Sequence, residues 1–365
     1  MSKAAELAAL IGSGQAQGDR NIVINGACVI DQRNGGSSVT PADTNYTIDR
    51  WRYTASQASK FTFQQNAAAV TPPVGFTNYM GFTVASAVSI GNGDYFAITQ
   101  RIEGYTTDQL EFGTSNAKAV TLSFWVRSSL TGTFGGALRG ASFGRANPFT
   151  YSISSANTWE YKTVTIAGDT SGTYQSGNTT GLEVIFGLGV GSTYSGSAGS
   201  WAGTGYFSAT SAVSVVGTGS ATWYATGISL EIGDVATPFE YENIGTTLAK
   251  CLRYYYRIGG AGVYHRYAVG SCQGTSSCGT VIYSPVGEMR SVPTLETTGT
   301  ASNYALYELA AVNACTSVPA INSAATNNIH FGVTFTSSGN LASGNAAEAC
   351  ANNNASAFLA FQAEL

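Results

Sequence analysis

Apolar and polar residues alternate along most of the chain from Asn21 onwards. A period of two places every second side chain on one face of a β-strand, and the segments that show it are rich in β-branched and aromatic residues. The predicted strands are residues 21–26, 46–53, 60–65, 80–88, 95–103, 120–128, 133–139, 161–166, 182–188 and 221–232. Because turn sequences and no long helical pattern separate them, we expect an all-β fold, an antiparallel β-sandwich of the jelly-roll type.

Three stretches break this period. Residues 1–17 are Ala- and Leu-rich at helical spacing, which predicts a short N-terminal helix. Residues 189–220, rich in Gly, Ser and Thr, predict a long loop with weak strands. Residues 246–256 have apolar positions three and four apart, which predicts a helical connector. The predicted divisions are an attachment segment at 1–17, a jelly-roll domain at 18–245, the connector at 246–256 and a smaller C-terminal β-domain at 257–365.

Composition agrees with a packed β-protein. Hydrophobic residues make up 44% of the chain and charged residues only 10%, less than half of what a typical soluble domain carries. The 20 Tyr, 17 Phe and 5 Trp supply enough apolar surface to exclude general disorder. A net charge of −4 offers no basic field for a phosphate backbone, so we expect no nucleic-acid partner.

The sequence carries no pattern for membrane insertion or signal-directed export. It contains no run of 18 or more apolar residues, and the start Met-Ser-Lys-Ala-Ala-Glu lacks the basic and apolar regions of a secretory signal. We expect no membrane insertion. A protein that is made in the cytoplasm and released by lysis fits this pattern.

The six cysteines leave two alternatives open. One is that they are buried free thiols. The other is that Cys272 and Cys278 form a local disulfide, with Cys315 and Cys350 as a second pair, after release into an oxidising medium. Metal binding is disfavoured, because the Cys-x5-Cys spacing is wrong for zinc.

The titratable residues do not predict an enzyme. Carboxylates are scattered among turns and strand ends, with no pair marked for glycoside hydrolysis. His265 and His330 are the only histidines, and no serine lies in a nucleophile-elbow sequence. We therefore expect no catalytic residues and no cofactor. The alternative to having no cofactor is a structural calcium ion held by Asp43, Asp49 and Glu231.

Several short segments, in one order, carry a resemblance to a known family. They are residues 21–26 (NIVING), 46–51 (YTIDRW), 120–128 (VTLSFWVRS), 168–173 (GDTSGT), 178–183 (NTTGLE), 226–233 (TGISLEIG), 236–240 (ATPFE), 251–256 (CLRYYY), 285–293 (PVGEMRSVP) and 360–365 (AFQAEL). Together they cover about 21–257 and, more loosely, the end of the chain, and they resemble a family of phage and prophage tail-fibre or receptor-binding proteins with a carbohydrate-binding-module-like jelly roll. The resemblance implies a virion location, with synthesis in the host cytoplasm, and contact with a glycan.

Aromatic residues are the candidates for glycan contact. Sugar C–H faces stack on aromatic rings while the hydroxyl groups take hydrogen bonds. Trp51 and Trp125 lie in apolar strands and are expected in the core. The residues predicted to be exposed and to bind a ligand are Trp201, Trp159, Trp223, Tyr194 and Tyr206, with Trp201 first because it lies in the long loop.

The hypothesis from the sequence is a structural phage virion protein, a tail fibre or tail-tip protein that binds host surface polysaccharide. The alternative is a virion assembly or decoration protein that binds no glycan, and a polysaccharide-degrading enzyme comes third. Expected partners are other virion proteins and further copies of the chain. A homotrimer is expected by analogy with fibre proteins, since the N-terminal helix is too short to persist alone.

Overall fold

The computed structural model describes residues 20–140, 142–260, 262–309 and 311–365. The predicted attachment helix at 1–17 lies outside the described residues. The chain forms two compact units, the first running to Thr247 and including Leu365, the second comprising Leu248–Glu364. No helix among the described residues is long and apolar enough to cross a membrane.

The first unit is built from β-strands. Among the residues described before Ile244, the one α-helix is α1, a single turn at Gly104–Thr107. The strands are β1 (Tyr46–Ile48), β2 (Trp51–Ala55), β3 (Phe61–Gln65), β4 (Met80–Val84), β5 (Tyr95–Glu103), β6 (Val120–Ser128), β7 (Gly132–Gly140), β8 (Arg145–Ile153), β9 (Glu160–Ile166), β10 (Thr180–Val190), β11 (Ser195–Gly196), β12 (Ser208–Ala209) and β13 (Thr222–Ile232).

Two antiparallel sheets form the sandwich. A six-stranded sheet has the order β1-β2-β5-β10-β7-β8, and a five-stranded sheet has the order β3-β4-β13-β6-β9. The all-β, antiparallel sandwich predicted from the alternating pattern is therefore confirmed. The strand predicted at 21–26 is wrong, because this segment is irregular. It nevertheless bonds to β13, where the amide of Ile22 donates to the carbonyl of Leu230.

The core lies between the two sheets and is strongly aromatic. Trp51 and Phe186 from the six-stranded sheet meet Phe124 and Trp223 from the five-stranded sheet, and all four are fully buried. Ring centroids of Phe186 lie 5.0 Å from Phe124 and 5.3 Å from Trp223. Burial of each such side chain contributes about 1.5–3 kcal/mol to the free energy of folding. The predicted core position of Trp51 is confirmed.

The stretch 189–220, predicted as a long loop, packs back onto the outer face of the six-stranded sheet. Within it β11 and β12 form a short parallel pair. The loop approaches β7 closely at Gly135, where an added Cβ would lie 2.3 Å from the hydroxyl of Ser208. The loop is therefore held by the sheet rather than projecting from it.

The helix predicted at 246–256 is α2, Ile244–Leu252. It ends earlier than predicted because Tyr255 already pairs with Gln362 in a strand. The strands of the second unit are β14 (Tyr255–Gly259), β15 (Arg266–Cys272), β16 (Ser277–Tyr283), β17 (Thr294–Thr297), β18 (Tyr304–Glu308), β19 (Ala311–Ala314), β20 (Ala320–Ile321), β21 (His330–Thr336), β22 (Ala346–Ala351) and β23 (Phe358–Gln362).

The second unit contains a three-stranded sheet, β14-β23-β17, and a seven-stranded sheet, β19-β18-β22-β15-β16-β21-β20. Their shared core includes Phe331, Phe335 and Phe361, and the rings of Phe331 and Phe361 stack at 4.2 Å. The smaller C-terminal β-fold predicted from the sequence is confirmed.

The structure contains both of the states predicted for the cysteines, a disulfide and buried free thiols. Cys272 and Cys278 face each other across β15 and β16 and form a disulfide. The alternative of a Cys315–Cys350 disulfide is wrong, because both residues are buried free thiols. Cys350 pairs with Ala305 on β18, while the amide of Cys315 bonds to Tyr304 from the other side of that strand. The intervening strand β18 therefore keeps the two thiols apart.

Candidate functional site

The structure separates the aromatic residues predicted to bind a ligand. Trp223 is fully buried, and its indole N–H donates to the hydroxyl of Tyr151 at 3.0 Å. Its predicted exposure is wrong because it points from β13 into the core. Tyr194 and Tyr206 pack against the outer face of the six-stranded sheet. Tyr194 lies edge-on to Tyr95 at 5.2 Å, so its ring is already used in packing.

Trp201 and Trp159 are half-buried, each at a different end of the fold. The indole N–H of Trp201 donates to the carbonyl of Ala167 at 2.7 Å. The indole N–H of Trp159 donates to the carbonyl of Thr71 at 2.9 Å, and its ring lies edge-on to Tyr79 at 5.4 Å. Both rings keep an accessible part, but their polar groups are engaged within the protein.

Trp125, expected in the core, lies on the outer face of the five-stranded sheet and is half-buried. Its neighbours along β6, Phe124 and Val126, are the side chains that enter the core. Because successive side chains of a strand point to opposite faces, Trp125 must point outwards. The core prediction for Trp125 is therefore wrong.

Trp125 is part of a small surface that we call the platform, formed by Trp125, Arg127, Tyr161 and Thr163. Trp125 pairs with Tyr161 across β6 and β9, with ring centroids 5.5 Å apart and planes tilted by 51°. Tyr161 is 43% exposed. Thr163 follows on the same face of β9 and is exposed. Two adjacent rings thus lie open on an otherwise hydroxyl-bearing sheet face.

The polar groups of the platform are available to a ligand. No described residue accepts the indole N–H of Trp125, whereas the other four tryptophans all donate to protein oxygens. Arg127 donates from Nε to the carbonyl of Asn157 at 3.0 Å, and its guanidinium lies over the ring of Tyr224 at 5.6 Å. Arg127 forms no ion pair with any described residue, so it presents a fixed positive charge beside the rings.

A second aromatic site, which we call the end cleft, lies where loops meet at one end of the sandwich. Its lining residues include Asp108, Glu111, Phe112 and Tyr174, and they enclose a cavity of about 90 Å³. Trp201 lies edge-on to Phe112 at 5.6 Å. The two carboxylates are already engaged. Glu111 pairs with Lys118 at 2.8 Å, and Asp108 accepts from the hydroxyl of Ser176 at 2.6 Å.

A buried carboxylate fixes the wall of the end cleft. Asp169 accepts from the hydroxyl of Tyr174 at 2.7 Å and forms a two-point ion pair with Arg145. Burial acts to raise the pKa of Asp169, but the hydrogen bonds from Arg145, Tyr174 and the Ser171 amide outweigh it and lower the pKa. Burial, together with Asp169, raises the pKa of Tyr174. Asp169 is therefore ionised at neutral pH and holds the Tyr174 ring in place.

A third cleft, of about 130 Å³, lies near the end of the first unit. The rings of Phe76, Phe239 and Tyr241 contact one another there at 5.1–5.4 Å between centroids. Gly227 makes this packing possible, since an added Cβ would lie 2.5 Å from the Phe76 ring. The asparagine side chains that line the cleft bond to the backbone of the fold, so this cleft is mainly structural.

The described residues contain no group of three His, Cys, Asp or Glu side chains placed to hold a metal ion. The residues considered for calcium serve separate hydrogen bonds. Asp43 accepts from Thr54 and from the Ala55 amide, Asp49 accepts from Gln32, and Glu231 accepts from Thr237. The three do not assemble into one ligand set. The expectation of no cofactor stays a prediction.

The sequence matches no protein-family model, and a search of curated proteins finds no match. Solved structures with some similarity include the enzymatically active domain of bacteriophage CBA120 tailspike protein 4, at 15% identity and a TM-score of 0.33, covering 59% of this chain and 22% of that one. TmCBM61 in complex with β-1,4-galactotriose has 12% identity and a TM-score of 0.29, covering 59% and 100% of the two chains. The tandem CBM22 domain of Paenibacillus barcinonensis Xyn10C has 9% identity and a TM-score of 0.26, covering 92% and 98%. At these scores the argument about function rests on the site geometry.

Proposed function

We propose that this chain is a non-catalytic glycan-binding protein of a bacteriophage particle, a tail fibre or tail-tip protein, and that the platform is its binding surface. One observation carries the glycan proposal. Trp125 lies half-buried beside the exposed Tyr161, and its indole N–H has no acceptor among the described residues. An aromatic face next to an unsatisfied donor is what a sugar ring requires, since its C–H groups stack and its hydroxyls accept hydrogen bonds.

The platform offers each kind of contact in one row. The rings of Trp125 and Tyr161 supply stacking area, and Arg127 and the Thr163 hydroxyl supply polar contacts at the rim. Their backbone positions are fixed by the β6–β9 ladder, so little order is lost on binding. A flat site with two rings still binds weakly, and we expect a monovalent Kd between about 0.1 and a few mM. Several copies on one particle would raise the effective affinity by avidity.

The arrangement favours binding without cleavage. Glycoside hydrolysis needs two carboxyl groups about 5–10 Å apart across the sugar. The platform residues include no carboxylate. Glu160, the acidic residue of β9, accepts from the Ser154 and Ser155 amides and pairs with Lys162.

The end cleft is the second candidate for a glycan. It combines Phe112 and Tyr174, against which Trp201 packs, with two carboxylates, and such carboxylates can accept hydrogen bonds from sugar hydroxyls. Its tryptophan N–H is already bonded to Ala167, which makes it the weaker candidate. This cleft is also where a polysaccharide-degrading activity would have to lie, so reducing-sugar release is measured on the same protein.

The place in a phage particle is supported by the order of short segments that resemble tail-fibre proteins and by the low charge of the chain. On this proposal the protein is located in the virion, contacts other virion proteins and host surface polysaccharide, and forms a homotrimer. It needs no cofactor, nucleic acid or membrane insertion. The rival function is a virion assembly or decoration protein, in which the platform contacts another virion protein.

A glycan array followed by calorimetry tests the proposal. The purified chain should bind at least one bacterial surface polysaccharide, and Trp125→Ala should weaken binding about tenfold, equivalent to about 1.4 kcal/mol. Tyr161→Ala should weaken it several-fold. Tyr105→Ala is the matched control, since Tyr105 is also an exposed tyrosine of the first unit, at 69%.

Three outcomes would redirect the assignment. If Trp201→Ala abolishes binding and Trp125→Ala does not, the end cleft is the site. If no host polysaccharide binds while labelled protein is found in particles, the assembly function replaces glycan binding. Release of reducing sugar would replace the non-catalytic assignment.

A further inference from the structure

The seven-stranded sheet of the second unit has one face on the core and one face uncovered. On β16, Cys278 and Ile282 enter the core, while Val281 and Tyr283 point the other way and are 45% and 66% exposed. The outward side chains of this sheet form what we call the open face. They include Arg266, Val269, Val281, Tyr283, Tyr307, Val312 and Glu348.

Strand register joins these residues into one continuous row. Val269 on β15 pairs with Glu348 on β22, and Glu348 pairs with Tyr307 on β18. Tyr307 in turn pairs with Val312 on β19. On the other side the Gly270–Thr280 pair brings Val281 of β16 beside Val269. Side chains opposite each other in such a ladder share one face, so the apolar residues form a patch rather than isolated spots.

The open face is electrically neutral. Arg266 and Glu348 form an ion pair at 2.6 Å, with both side chains a little over two-fifths exposed. The Arg266 guanidinium also lies over the Tyr307 ring at 4.9 Å. The one other charged residue described on these seven strands is Glu308, which is buried and accepts from Asn345. A partner of high net charge would find no counter-charge here.

The outline of the seven strands sets an upper limit on the area of an interface. Strands about 4.8 Å apart, each about six residues long at about 3.3 Å per residue, give an area on the order of 600 Å². Two such faces together would bury at most on the order of 1,200 Å², the lower end for specific protein–protein interfaces. Ala305 and Cys350 on this face are fully buried, so the accessible apolar part is smaller than the outline and centres on Val269, Val281 and Tyr283.

We propose that the open face binds the open face of a second copy of this chain, in a twofold contact that is separate from the threefold contacts of the proposed homotrimer. A neutral surface with one cation and one anion beside a row of valines and tyrosines matches its own copy, because apolar residues meet apolar residues and each charge can meet its opposite. The area is at the small end for specific complexes, so association is tested at micromolar concentrations. The inference uses residues of the second unit alone and stands independently of the glycan platform.

Sedimentation equilibrium of the full chain, from about 1 to about 100 µM, tests the proposal. We expect reversible association whose dissociation constant rises at least about tenfold in Val269→Asp/Val281→Asp. Val292→Asp is the control, since Val292 is 59% exposed in the same unit but lies outside the seven strands. Its association should match the wild type.

Two further variants guard against misfolding and test the charge argument. Val269→Thr/Val281→Thr keeps β-branched side chains and should weaken association several-fold with an unchanged circular dichroism spectrum. Glu348→Arg should weaken association, and Arg266→Glu/Glu348→Arg should restore it. A monomer at the highest concentration, or association that the folded Asp and Thr variants leave unchanged, would overturn the proposal.

Discussion

Replacing Glu183 by glutamine should destabilise the first unit strongly, because it removes the negative charge from a buried row of charged residues. Glu183 on β10 pairs in register with Arg101 on β5 and with Arg139 on β7. The Glu183 side chain is 1% exposed and that of Arg139 is 10% exposed. Glutamine keeps the shape of the side chain but leaves the guanidinium of Arg139 buried without a counter-charge.

The magnitude follows from the surroundings of Arg139. Removing one partner of a buried ion pair costs about 3–5 kcal/mol. We expect a loss near the lower end, about 3 kcal/mol, because the rings of Phe143 and Phe207 lie 4.8 and 4.2 Å from the Arg139 guanidinium and stabilise a cation. Replacing both partners, in Arg139→Met/Glu183→Leu, should cost less, since the charge that then loses its partner is that of Arg101, whose side chain is 21% exposed.

The same carboxylate links stability to pH. Burial acts to raise the pKa of Glu183, but the charges of Arg139 and Arg101 and the hydrogen bond from Arg139 outweigh it and lower the pKa. A lowered pKa means that the stabilisation is fully present above the unfolded-state pKa of about 4.3 and is lost as the pH falls through the folded-state pKa. The difference between wild type and Glu183→Gln should therefore be constant near neutrality and shrink below pH about 4.3.

Urea unfolding followed by tryptophan fluorescence measures this difference, because all five tryptophans lie in the first unit. The control is Glu111→Gln, which breaks the exposed pair with Lys118 and should cost less than about 1 kcal/mol. The reasoning is refuted if Glu183→Gln costs no more than Glu111→Gln, or if its cost is unchanged in acid.

Three further experiments probe other parts of the fold. Gly227→Ala should lower the free energy of unfolding of the first unit by about 1–3 kcal/mol in urea, because Gly227 has a φ of +61° and the new Cβ would meet the Phe76 ring; Gly93→Ala, which meets open space, should stay near wild type. Cys272→Ser/Cys278→Ser should lower the free energy of unfolding of the second unit by about 2 kcal/mol in calorimetry, so that the variant unfolds as the wild type does in reductant. Equal melting of variant and wild type without reductant would contradict a formed disulfide. Burial raises the pKa of Cys28 and of Cys315 to about 12, so neither thiol should react with maleimide at neutral pH until urea unfolds the chain, and labelling of native protein at either position would be the contrary result.

The architecture could be predicted from the sequence because burial imposes a period of two. In β6 the core positions Val120, Leu122, Phe124 and Val126 are all apolar, and this phase is visible in the printed sequence. The same phase places Trp125 on the outer face with Thr121, Ser123 and Arg127. The alternation along β6 therefore indicates that Trp125 points outwards. Trp125 was expected in the core because the strand as a whole is apolar.

The position of Trp223 could not be read in the same way. A bulge lies between Thr226 and Ser229 of β13, and Gly227 adopts a positive φ there. The bulge shifts the phase, so Trp223 and Ala225 enter the core from odd positions while Ile228 and Leu230 do so from even ones. Alternation thus fails along β13. The engaged N–H groups of Trp159 and Trp201 depend on Thr71 and Ala167, carbonyls far away in sequence that no local pattern indicates.

The place of β13 in the five-stranded sheet has a consequence for how the protein is made. β13 lies between β4 and β6, yet it is the last strand of the first unit to leave the ribosome. Until it arrives, the β3–β4 and β6–β9 strand pairs each expose an unpaired edge that can pair with another nascent chain. Contacts this distant in sequence also form slowly. Synthesis that stops before Thr222 should therefore yield aggregates rather than a smaller folded domain. When many ribosomes translate this chain at once, its folding should depend on chaperones that shield strand edges.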